Sequence, residues 1–107
     1  MASRRIIRSA RAKQDLFDIW RHIDGEAGSE VADSVLARLI EAIHRAADRP
    51  LLYRQRPELK GSPRRLNVLR YAIFFEVLLE GDGIFVWRVL HGARDLRRVL
   101  RRPDLPE

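Results

Sequence analysis

The chain has 107 residues, no cysteine, and 21 Lys and Arg against 15 Asp and Glu, for a formal charge of +6. That length suits one domain with one modest core, and the missing cysteines exclude disulfides and thiolate metal sites. The positive balance rests on arginine, since Lys13 and Lys60 are the only lysines. Arg pairs bidentately with carboxylate and phosphate, so it points to acidic partners or nucleic acid, although a GC-rich genome would give the same bias. The opening MASRRIIRSARAKQ has charge but no apolar signal core, and no apolar run approaches the roughly 20 residues of a membrane span. The expectation is a cytoplasmic protein with no membrane partner.

In chain order, Arg5 to Arg8 read as a short strand with Ile6 and Ile7 as its large apolar side chains. From Ala12 the period becomes helical, through Leu16, Ile19, Trp20 and Ile23. Asp24-Gly25 is expected to end this helix, and Ser29 to cap the next, with Glu30 and Asp33 in its first turn. Ala32, Val35, Leu36, Leu39, Ile40, Ile43, Ala46 and Ala47 form an apolar stripe that Pro50 should stop. Leu51 to Pro63 is a polar loop, followed by strands expected at Arg65–Leu69, Tyr71–Glu80 and Gly83–Leu90. Glu80-Gly81-Asp82-Gly83 is a strong turn signal. The order strand, helix, helix, strand, strand, strand predicts an α+β fold, a helical hairpin on a small antiparallel sheet.

Both alternating faces of the last two strands are apolar. Ile73, Phe75, Val77, Ile84 and Val86 mark one face; Phe74, Leu78, Phe85, Trp87 and Val89 mark the other. Two helices cover one face of a small sheet, so an apolar second face implies a partner, unless the long loop and the C-terminal tail fold over it.

The chemistry narrows by elimination. His22, His44 and His91 lack metal-ligand spacing, which predicts no metal site. Neither phosphate-cradling glycine motif occurs, and Ser29 and Ser62 do not sit in a nucleophile elbow. What remains is a basic constellation of Arg64, Arg65, Arg70, Arg88, His91 and Arg94 at strand ends. Arginines neutralise phosphates or carboxylates, and a His titrates near neutrality. Within the fold, Arg88 has the alternative of pairing with Glu76 or another acid.

The pattern Tyr71-x-Ile73-x-Phe75-x-Val77, then Ile84-x-Val86-x-Arg88-Val89-Leu90-His91-Gly92-Ala93-Arg94-Asp95, resembles the ParE branch of the ParE/RelE bacterial toxin superfamily. Ala12-x-x-Asp15-Leu16-x-x-Ile19-Trp20 is similar to that family's first helix. The resemblance implies one toxin domain over residues 1–96 with a basic tail over 97–107, and no cofactor. It also implies a cognate ParD-like antitoxin, in a hetero-oligomer that would cover Phe74, Leu78, Phe85, Trp87 and Val89. ParE-like members are poisons of DNA gyrase, whereas RelE-like members cut messenger RNA in the ribosome. The HGARD ending is closer to the first, with Arg64, Arg65, Arg70, Arg88, His91 and Arg94 as the target-binding set. A ribonuclease would have to rely on His91 with Glu58, since no Tyr follows His91. A plain nucleic-acid-binding module is a third reading, weakened by the lack of a helix with a basic face.

Overall fold

The computed structural model describes residues 4–59 and 61–92. Strand β1 (Arg5–Arg8) leads into helices α1 (Ala10–Ala27) and α2 (Ser29–Asp48), then a short 3-10 turn at Pro50–Leu52. Strands β2 (Arg64–Val68), β3 (Tyr71–Val77) and β4 (Gly83–His91) complete a sheet of order β1-β4-β3-β2. The sheet is mixed: β1 runs parallel to β4, and the other pairs are antiparallel. The predicted β-α-α-β-β-β order is therefore present, with the helical hairpin on one sheet face.

The helices differ from expectation at their junction. Helix α1 passes through Gly25 to Ala27, and the chain reverses at Gly28, whose φ of 97° suits a residue without Cβ. Ser29 does not cap α2; its hydroxyl donates back to Asp24 Oδ1 across the junction. The cap that the sequence reading missed is Ser9, whose hydroxyl accepts from the Ala12 amide. Pro50 does mark the end of α2, because it supplies no amide to extend the ladder. Strand β3 stops at Val77 rather than Glu80, since Leu78 to Asp82 already form the turn.

The main core lies between the hairpin and the sheet. Leu16, Leu39 and Ile43 pack against Ile73, Phe75, Ile84, Val86 and Val89. Fully burying a side chain of this size contributes roughly 1.5–3 kcal/mol, so this layer dominates the folding free energy. At the parallel β1–β4 contact, Gly83 lies so close to the Arg5 carbonyl that any Cβ would overlap it.

One irregularity reorders the faces of β4. Phe74 pairs with Arg88 but Phe75 pairs with Val86, so Trp87 is an extra residue in the ladder. Such a bulge shifts the alternation by one position. Val89 consequently joins the helix-covered core, contrary to its expected place on the second face. Leu90 takes the second face instead, with Ala72, Phe74, Trp87 and Leu59.

Candidate functional site

Two residues at the start of α1 clamp the bulge. The Ser9 hydroxyl donates to the Trp87 carbonyl at 2.6 Å. Asp15, one helical turn beyond the buried Ala12, accepts from Arg88 Nε at 2.9 Å and Arg88 Nη2 at 3.1 Å. It also accepts from the Val89 amide at 2.9 Å. The pair is nearly enclosed, with side-chain exposures of 15% for Arg88 and 13% for Asp15. Arg88 is thus held by Asp15 rather than Glu76, and its guanidinium is committed inside the fold. Burial and bidentate pairing engage the Arg88 charge within the fold, so less of it faces the cleft than its place in the basic set implied. Glu76 instead accepts from Trp87 Nε1 at 3.3 Å.

This clamp forms part of the floor of an open cleft of about 1170 Å³ between α1 and the β3–β4 end of the sheet. Arg70, Arg88 and His91 from the predicted basic set meet here, joined by Arg11 and His22 from α1. Asp15, Asp18 and Glu26 also line it. The mixture of signs matters, because a groove for a phosphate backbone would concentrate one sign of charge. His91 sits edge-on to Tyr71 at 5.8 Å between ring centroids, because those residues face each other across β3 and β4. Sequence order hides this pairing: no Tyr follows His91, yet the antiparallel register brings one beside it.

The rest of the basic set lies elsewhere. Arg64 donates to the Tyr53 carbonyl at 2.8 Å, anchoring the long loop to β2. Arg65 donates to Asn67 and lies over the Phe74 ring on the second face, 5.8 Å from its centroid. Partial burial pushes the Arg65 pKa below its usual value; Arg56 adds to that and Glu58 opposes it. Glu58 is ion-paired with Arg56 at 2.6 Å, and that hydrogen bond is the main reason its carboxyl lies below the usual 4.5. Glu58 does not line the cleft that holds His91. The acid–base pair that a ribonuclease would use is therefore not assembled among these residues. Arg94 and the tail lie outside the described residues, as does Lys60. Among the described residues no group of three or more metal-type ligands occurs.

The second apolar face is better covered than its sequence suggests. Phe74 is 4% exposed and Trp87 8%, packed with Leu59 from the long loop. Phe85 and Leu78 keep intermediate exposure, while Val89 lies under the helices. Exposed apolar surface occurs also on α1, where Phe17 borders a groove formed with Leu16, Trp20, Leu36 and Ile40, rimmed by Arg8 and Lys13. Among the described residues no helix is long and apolar enough to cross a membrane.

Residues 6–96 match the family model described as ParE toxin of type II toxin-antitoxin system, parDE. The chain is 35% identical over 98 residues to Toxin ParE1 of Mycobacterium tuberculosis, covering 92% of this chain and 99% of that one. It is 28% identical over 92 residues to Toxin ParE3 of Caulobacter vibrioides, covering 86% and 90%. Among solved structures, a chain of the chromosomal ParDE TA system from P. aeruginosa superposes with a TM-score of 0.69 at 20% identity. That match covers 83% of this chain and 96% of the other, and shows a shared fold.

Proposed function

Because this chain belongs to the ParE toxin family of type II toxin–antitoxin systems, we propose that it is the toxin of such a pair, neutralised by a ParD-like antitoxin and acting by poisoning DNA gyrase. The observation that carries the choice of binding over catalysis is the composition of the cleft. Arg88 is spent on Asp15, Glu58 lies outside, and the walls carry both signs of charge. A mixed-charge cleft suits a folded protein surface, whose own charges alternate, better than an RNA backbone. Arg70 is exposed at the cleft rim and is the leading cation for the target, with His91 beside it in a positioning role. Arg65 supplies a separate basic point on the second face.

The antitoxin reading rests on the apolar surface that stays open. Phe85 retains exposure on the second face and Leu78 beside the β3–β4 turn, and the Phe17 groove offers a further apolar strip with basic rims. An antitoxin segment with apolar and acidic residues would complement both. Its binding would remove from water the surface a lone toxin leaves exposed.

One observation favours the alternative of ribosome-dependent messenger cleavage: Tyr71 beside His91 places a phenol and an imidazole together in the cleft. The deciding experiment is paired. Purified protein is assayed for inhibition of gyrase supercoiling with trapped cleaved DNA, and for cutting a reporter messenger on ribosomes. Trapped gyrase with intact messenger is expected. Cut messenger with untouched gyrase would overturn this reading and make His91 and Tyr71 the proton-transfer candidates.

A further inference from the structure

The connection between β2 and β3 is strained at a residue that has no local reason to be there. Val68 pairs with Tyr71, so only Leu69 and Arg70 make the turn. Leu69 has φ of +53°, while Arg70 is not in that region. Positive φ at the first central residue alone is the requirement of a type II′ turn, where glycine is the usual occupant. A leucine there sets its Cβ against the following carbonyl. Such strain persists only where surrounding contacts over-determine the backbone. Here they do: the flanking strands are paired, and the Arg70 carbonyl accepts from the Gly92 amide at 2.7 Å.

Nothing in the core repays the leucine. Its side chain is 51% exposed and projects at the rim of the same cleft as Arg70, Tyr71 and His91. An exposed apolar side chain on a rigid, strained turn, next to an exposed arginine, is a feature of recognition rather than of folding. We propose that the Leu69–Arg70 tip is a recognition knob for the toxin's target protein. Leu69 would enter an apolar depression, while Arg70 would meet a carboxylate at its border. The chemistry favours a protein over a nucleic acid, since a leucine offers a phosphate backbone nothing. The inference rests on the gyrase-binding reading above and adds the contact that reading lacks.

The test uses the full chain with Leu69→Gly, Leu69→Asn and Leu69→Met, each measured for melting temperature and for the concentration that half-inhibits gyrase supercoiling. Gly and Asn accept positive φ and remove the knob; Met keeps an apolar knob of similar volume. Gly and Asn variants are expected to melt no lower than the parent yet to need at least about tenfold more protein for inhibition, since losing an anchor of this kind costs more than about 1.4 kcal/mol. The Met variant should lose clearly less inhibition than either, because it keeps an apolar knob of similar volume. Gly and Asn variants that inhibit as well as the parent would overturn the proposal while leaving the gyrase reading intact. Variants that melt well below the parent would overturn the strain argument. A parent chain that cuts messenger and leaves gyrase untouched would overturn both the gyrase reading and the protein target assigned to the tip.

Discussion

Replacing Asp15 with alanine removes the carboxylate that accepts from Arg88 and Val89, and leaves the Ser9–Trp87 bond as the remaining side-chain tie between this end of α1 and the β4 bulge. The Arg88 guanidinium, 15% exposed, would lose both hydrogen bonds, and the Val89 amide would lose its acceptor. Removing one member of an enclosed ion pair costs about 3–5 kcal/mol, because the remaining charge stays desolvated without a partner. The orphaned amide adds to that by itself about 1–3 kcal/mol, but the two losses share one carboxylate and do not sum. Roughly 3–5 kcal/mol is a third or more of the stability of many domains of this size. At about 4–8 °C per kcal/mol, the melting temperature should fall by at least about 12 °C. Asp15→Asn should lose less, because its amide oxygen can still accept from Val89. Combining Asp15→Asn with Arg88→Met should recover much of the loss, since no charge is then left buried. The assay is urea and thermal unfolding followed by helical circular dichroism. A cost for Asp15→Ala below about 1 kcal/mol, the range of an exposed pair, would refute the view that this clamp is structural.

Gly83→Ala should cost about 1–3 kcal/mol or more in the same assay, because its Cβ would overlap the Arg5 carbonyl, a backbone atom that cannot turn aside; an unaffected melting point would mean that β1 is readily displaced from β4. Trp87→Asp should unfold the protein rather than only weaken antitoxin binding, given that truncating a core Trp already costs about 3–5 kcal/mol. Phe85→Asp, at a partly exposed position, should keep the helical signal and reduce binding of a purified ParD-like antitoxin; unchanged affinity would remove Phe85 from that surface. Glu58 has a folded-state pKa below 4.5, so its contribution is present above the unfolded value and is lost as pH falls through the folded one. The stability difference between parent and Glu58→Gln should therefore be visible at pH 6 and shrink as the pH falls below 4.5; a difference that stayed constant into acid would point away from the Arg56 pairing.

Much of the architecture was legible because local periodicity reports it directly. The apolar stripe of α2, the Pro50 stop, the Gly81–Gly83 turn and the element order all follow from side-chain spacing and backbone freedom, which depend on near neighbours in the chain. The resemblance carried by Arg88 to Asp95 was legible for the same reason, and the family match bears it out. The site was less so. Arg88 stood in the sequence as one of several cations; only the packing of α1 on β4 brought Asp15, 73 positions away in the chain, to neutralise it. Ser9 was missed although a serine before a helical run is a cap signal, and its second bond to Trp87 had no local trace.

What residue order determined by itself is which segments become helix or strand, how much charge the chain carries, and which family it joins. What only the tertiary structure decided is which way the side chains of β4 point and which charges remain available. A single extra residue at Trp87 reverses the alternation beyond it, moving Val89 into the core and Leu90 out of the helix-covered face. No period in the sequence announces that bulge, because it is stabilised by atoms of Ser9 and Asp15 that meet β4 only after the chain has folded.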